Sequence, residues 1–157
     1  MVAYWLMKSE PHVYPWEQLV EDGRTHWDGV RNYQARNFLR DQMSKGDLVL
    51  FYNSNCEVLG VGGIAVIENA GYPDPSQFDK TNKYFDEKST KENPRWYSVD
   101  IKQKKHLKKY VPLSEIKETK QLKDMKVVQR GQRLSIQPVT KKEFEVVCKL
   151  GGITAPK

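Results

Sequence analysis

The sequence predicts a single α+β domain, residues 1–157, built on a curved or closed β-sheet. Three observations carry this expectation. A chain of 157 residues and 18.3 kDa has room for one hydrophobic core and little more. Segments patterned as strands outnumber those patterned as helices, and the helical ones fall between them irregularly rather than in a regular βαβ order. No internal repeat or linker interrupts the chain. Only 38% of residues are hydrophobic, so the four Trp, eight Tyr and five Phe must supply much of the core.

Taken in order, Val2 to Lys8 reads as a buried, aromatic-rich strand, ended by Ser9-Glu10-Pro11 because proline cannot donate to a ladder. Pro15 to Glu21 reads as a short helix with Pro in its first turn and Gly23 beyond its end. Thr25 to Arg31 reads as a loop. Asn32 is placed to cap a helix from Tyr33 to about Met43, with Gly46 as its stop. Asp47 to Tyr52 is a second strong strand and Leu59 to Ile67 a third. Within the third, Gly60, Gly62 and Gly63 indicate a bulge or a close backbone approach. Tyr72-Pro73-Asp74-Pro75 opens a long polar stretch to Pro94, expected to be a loop with one helical turn. Arg95 to Ile101 alternates like a half-buried strand. Pro112 to Met125 is expected to hold one or two short helices beginning at Ser114. Arg133 to Val139 reads as a short strand ended by Pro138, and Thr140 with Glu143 has capping-box spacing ahead of a last helix to about Leu150.

The net charge of +6 is unevenly spread. Residues 102–142 hold 13 Lys or Arg against three Asp or Glu, while the remainder carries an acidic excess. Such asymmetry suits a polyanionic partner, because neutralising phosphates releases counterions; a lysine-rich surface kept for solubility is the alternative. No stretch approaches the roughly 20 consecutive apolar residues of a membrane span. The apolar run from Met1 stops at Lys8 without a small-residue cleavage site, so no signal peptide, no membrane partner and a cytoplasmic location are expected. Cys56 and Cys148 stand far apart, neither near another Cys or His at ligand spacing; two free thiols and no metal or cofactor are expected.

A reaction is hard to find. His12, His26 and His106 belong to no recognisable motif, and there is no Walker loop, dinucleotide fingerprint or metal-binding His pair. Gly60-Val61-Gly62-Gly63 continues directly into a strand, which favours a bulge over a phosphate cradle. Glu10 and Asp28 are a carboxylate pair only in the sense that any two acids are. A binding site is easier to argue. Trp27-Asp28-Gly29-Val30-Arg31-Asn32 sets an aromatic plate, an acceptor, a permissive glycine and a guanidinium in one loop, the parts that hold flat heterocycles. Trp27 as a plug of the core is the competing reading. Ser9 follows one strand, Asn53 and Ser54 follow another and Ser135 sits in a third, and polar residues at strand ends around a barrel mouth are placed to line a pocket.

Three long segments, Tyr4-Trp5-Leu6-Met7-Lys8-Ser9-Glu10-Pro11, Trp27 to Asn37 and Gly46 to Tyr52, closely resemble the EVE domain. Tyr72 to Pro75, Pro94-Arg95-Trp96 and Arg133 to Val139 continue the likeness in the same order, over roughly residues 2 to 150. The departures are Asn53-Ser54-Asn55, where relatives often carry His-Ser-Asn, and Ile136 in place of Val. The resemblance implies a PUA-like curved β-barrel flanked by short helices, in one superfamily with the PUA, ASCH and YTH domains. It also implies a monomeric, non-catalytic reader of a modified base, a modified cytosine in DNA or a modified base in RNA. By likeness to the YTH layout, Lys8 and Ser9 match a strand end and Trp27 a cage wall.

On this reading a flipped base stacks on Trp27, its polar edge met by Ser9, Asn32, Asn53 and Ser135. Arg31 either contacts the flanking phosphate or ties Asp28 and Glu10 in a salt bridge. Trp96 completes the cage or belongs to the core, and Tyr72 and Pro73 close the far wall. Lys102, Lys104, Lys105, Lys108 and Lys109, then Arg130 and Arg133, are the expected phosphate contacts. Two alternatives remain open: an ASCH-like hydrolase of modified nucleosides, with Lys8 and Glu10 as nucleophile or base, and a protein-interaction module.

Overall fold

The two most apolar segments, β1 (Tyr4–Ser9) and β3 (Leu48–Asn53), pair in parallel in the computed structural model, which describes residues 2–157. Met1, the first residue of the apolar run, lies outside the described residues. Alternation along the two strands sends Trp5, Met7, Val49 and Phe51 to one face and Leu6, Leu48, Leu50 and Tyr52 to the other, so both faces of the sheet need a cover. On the first face lie α1 (Trp16–Asp22) and α2 (Tyr33–Asn37), which runs on as a π-helical turn over Phe38–Gln42. The second face is covered by α3 (Leu113–Glu118), two 3₁₀ turns at Lys120–Leu122 and Lys126–Val128, and α4 (Lys141–Leu150). The capping box of α4 is formed: Glu143 N donates to Thr140 Oγ1 at 3.1 Å and Thr140 N to Glu143 Oε1 at 2.9 Å.

The remaining strands are β2 (Arg24–Trp27), β4 (Gly60–Pro73), β5 (Tyr97–Pro112) and β6 (Ile136–Val139), giving the sheet order β2-β5-β4-β3-β1-β6. The sheet curves strongly: β2 and β3 stand three places apart in it, yet Trp27 at the end of β2 meets Phe51 of β3 ring to ring at 5.9 Å. The expected barrel is nonetheless left open, because among the described residues no ladder joins β2 to β6. No helix of the described residues is long and apolar enough to cross a membrane.

Several boundaries differ from the sequence expectation. Thr25 to Trp27, expected to start a loop, form an edge strand together with Arg24, with Trp27 opposite Val99 and Arg24 opposite Lys102. Tyr72 and Pro73 do not open the polar loop; they end β4, opposite Ser98 and Tyr97. The lysine run is also strand, since β5 continues through it with most of its side chains exposed. Pro138 sits within β6 rather than ending it, opposite Trp5 on an outer strand where a missing donor is tolerated. The glycines of β4 serve both expected purposes. The register shifts between Val61 and Gly63, and a Cβ on Gly63 would stand 2.2 Å from the Trp16 ring, so α1 packs onto bare backbone.

Candidate functional site

Where β1 and β2 end, the curved sheet leaves a cavity of about 390 Å³, within the range of small-molecule sites. Lys8, Ser9 and Glu10 from the end of β1 form one side, and Thr25, His26, Trp27 and Asp28 from β2 and its exit form the other. Val13 and Tyr14, leading into α1, and Tyr84 from the polar loop complete the lining. A larger groove of about 840 Å³ lies between α4 and the last residues of the chain. Its two aromatic rings, Tyr4 and Phe144, pack on each other at 4.9 Å, so it offers a ligand no free aromatic plate.

The cavity wall is held rigidly from behind. Asp74 is fully buried and takes hydrogen bonds from Gly29 N (2.8 Å), Arg31 Nη1 (3.1 Å), Ser76 N (2.8 Å) and Ser76 Oγ (2.6 Å). Burial by itself would push its carboxyl up, but the bonds from Ser76, Gly29 and Arg31 outweigh that and hold it below the usual carboxylate range. Arg31 also donates to Ser76 Oγ at 3.1 Å and to the Tyr84 carbonyl at 2.6 Å, with its guanidinium 5.3 Å from both the Tyr84 and the Trp96 ring centres. Tyr84 in turn packs on Gly29, whose φ of +79° suits glycine and where a Cβ would stand 2.5 Å from the ring. The aromatic wall, the Trp27–Arg31 turn and the polar loop are thus one unit.

On the opposite side, Ser9 Oγ donates to the Tyr14 carbonyl at 2.5 Å, and the Tyr14 phenol donates to Asp22 at 2.8 Å. Burial and then the Asp22 bond push the Tyr14 phenol up to about 12. Lys8 lies half-buried, its Nζ 6.0 Å from the centre of the Tyr52 ring, and burial lowers its pKa from the ordinary lysine value. Glu10 accepts from Asn55 Nδ2 at 2.5 Å and faces His12 at 3.7 Å.

Of the nine side chains expected at the pocket, the structure brings Ser9 and Trp27 to this cavity. The other seven are placed elsewhere. Arg31 ties neither Asp28 nor Glu10; its partner is Asp74. Asn32 caps α2, accepting from Ala35 N at 3.0 Å. Asn53 reaches Tyr110 at 3.4 Å and leaves its Oδ1 buried without a donor among the described residues. Tyr72 donates to Asp100 beside a separate open groove, and burial together with that bond raises its pKa. Pro73 is in the β4–β5 ladder. Trp96 is buried, stacked on Tyr33 at 4.9 Å and bonded through Nε1 to Asp86 at 2.7 Å, which is the core role. Ser135 meets the site only through its carbonyl, which accepts from Lys8 N at 2.8 Å.

Tyr14 and Tyr84 line the cavity without any sequence pattern to mark them. Each stands in a segment without periodicity, and the one available signal is an aromatic residue in an otherwise polar loop. Lys102, Lys104, Lys105, Lys108 and Lys109 are exposed along β5, and Arg130 and Arg133 in the segment before β6; none of them lines the cavity. The backbone N–H groups of Lys108 and Lys109 are anchored on the Gly151 carbonyl beyond α4, at 2.9 and 3.2 Å.

The family model for the EVE domain matches residues 3–150. Thymocyte nuclear protein 1 of Homo sapiens is 42% identical over 172 residues, covering 94% of this chain and 73% of that protein. A crystal structure of a Pseudomonas putida protein superposes with a TM-score of 0.91 at 44% identity, covering 95% of this chain and 99% of the other. The human THYN1 protein, solved in complex with 5-methylcytosine-containing DNA, superposes with a TM-score of 0.87 at 40% identity, covering 98% of this chain and 99% of that one. Sequence motifs, sheet and relatives agree along nearly the whole length, and the chain belongs to the EVE domain family.

Proposed function

We propose that this protein is a non-catalytic nucleic-acid-binding module that takes a modified cytosine of DNA, flipped out of the stack, into the cavity walled by Trp27. The observation that carries the reading is the cavity itself: a half-buried indole beside polar strand ends, braced by the Asp74–Arg31–Tyr84 unit. Extruding a base costs a few kcal/mol, least where pairing is already weak. Stacking on an aromatic side chain returns about 1–3 kcal/mol per base. The complex of human THYN1 with 5-methylcytosine-containing DNA supports the choice of DNA and of cytosine. The exposed lysines of β5 supply attraction to phosphates that carries no sequence information.

A nucleoside hydrolase built on Lys8 and Glu10 is the competing reading. The lowered pKa of Lys8 favours it, since an amine nucleophile must lose its proton. Glu10 argues against it, because its carboxylate is engaged by Asn55 and His12 at the rim. One experiment separates the readings. Oligonucleotides with plain, methylated or hydroxymethylated cytosine, in single- and double-stranded form and with RNA counterparts, are titrated into the wild type and Trp27→Ala at two salt concentrations. A preference for a modified base that disappears in Trp27→Ala is the expected result. Equal, salt-sensitive binding to every oligonucleotide would reduce the protein to a basic surface, and turnover of a modified nucleoside would make it an enzyme.

A further inference from the structure

We infer that the cavity selects a base presenting an exocyclic amine on its Watson–Crick edge, with the Asp28 carboxylate as the acceptor that reads it. The inference rests on the base-reading role of the cavity and names the residue that sets its choice. Most hydrogen-bonding side chains in the lining are committed within the protein. Ser9 Oγ is spent on the Tyr14 carbonyl, the Tyr14 phenol on Asp22, and Thr25 Oγ1 on the His26 carbonyl at 3.4 Å. The rim carboxylate of Glu10 takes the Asn55 amide.

Asp28 differs from all of these. It lines the cavity one residue after Trp27, its side chain is 36% exposed, and its Oδ2 lies 3.4 Å from His26 Nε2. Its Oδ1 accepts no hydrogen bond from any side-chain or backbone donor among the described residues. An open carboxylate oxygen therefore stands beside the aromatic plate. Cytosine matches that acceptor, with its N4 amine as donor to Asp28. Thymine in the same orientation sets O4 against the carboxylate, two acceptors with no proton between them. A 5-methyl group is common to 5-methylcytosine and thymine, so stacking and shape do not distinguish them and the amine edge must.

The test compares two duplexes that differ only in the target base, 5-methylcytosine or thymine, each opposite an abasic site so that no base pair is broken on extrusion. Wild-type protein is expected to prefer 5-methylcytosine by about tenfold or more, the scale of one good edge contact. In Asp28→Asn the amide offers a donor or an acceptor by rotation, and the preference is expected to fall within about threefold, with circular dichroism confirming the fold. Equal wild-type affinities, both lost in Trp27→Ala, would overturn the role of Asp28 while leaving the cavity as the binding site. An undiminished preference in Asp28→Asn would do the same. Binding of both duplexes unaffected by Trp27→Ala would overturn the base-reading cavity and this inference together.

Discussion

A single buried carboxylate holds the wall of the site in place. Four donors converge on Asp74 from the Trp27–Arg31 turn and the Pro75–Phe78 turn, and its own carbonyl accepts from Gln77 Nε2 at 2.8 Å. Asp74→Ala strands the Arg31 guanidinium and the Gly29 N–H, and is expected to cost about 2–4 kcal/mol in urea unfolding, as removal of one partner from a buried ion pair does. Linkage gives the sign with pH. A carboxyl held below its unfolded value contributes stability that is complete above roughly pH 4 and is lost as pH falls through the lower folded value. The decline in stability below about pH 4 should therefore be shallower in Asp74→Asn than in the wild type, measured by thermal unfolding across pH 2–6. At this scale the sequence is partly legible. Trp27 and Ser9 sit where strand ends and loop chemistry point. Arg31 is legible as a hydrogen-bonding residue, but its partner lies 43 positions away and no local pattern reports such a pairing.

Elements are legible where burial imposes a period and illegible where pairing alone makes the strand. β1, β3 and α4 each carry a clear apolar pattern or cap, and they form where expected. β2 has only four residues, two of them exposed, and is a strand because the edge of β5 offers it a ladder. The lysine half of β5 fails as a strand pattern for a related reason: its outward side chains meet solvent, and its regularity comes from the long hairpin with β4. That hairpin also seats α1. Gly63→Ala drives a methyl into the Trp16 ring, and overpacking of this kind is expected to destabilise by about 1–3 kcal/mol. Because α1 is reached through the Glu10–Tyr14 side of the cavity, Gly63→Ala should also weaken oligonucleotide binding. Thr140→Ala on the other face removes one cap bond and should cost about 1 kcal/mol without touching binding. Chemical denaturation and titration of the two variants side by side check the distinction.

For the whole molecule, a base-reading cavity set apart from the basic strand would separate affinity from choice. The basic segment from residue 102 to 142 carries far more Lys and Arg than acid, whereas none of its residues lines the cavity. Phosphate contacts set position and strength, and contacts to the base edge set specificity. If the lysines of β5 are the phosphate track, each phosphate no longer neutralised takes about 0.9 from the slope of log affinity against log salt on duplex DNA. Replacing Lys102, Lys104 and Lys109 with Gln should then weaken binding to every oligonucleotide alike and flatten that slope by up to about 2.7. The ratio of affinities for modified and plain cytosine should not move, since the cavity and its Asp28 acceptor are untouched. Trp27→Ala should do the reverse, abolishing the ratio while keeping the slope. A triple variant that loses the ratio would place the lysines at the base; one that keeps the full slope would move the phosphate track off β5, to Arg130, Arg133 or the surface around them.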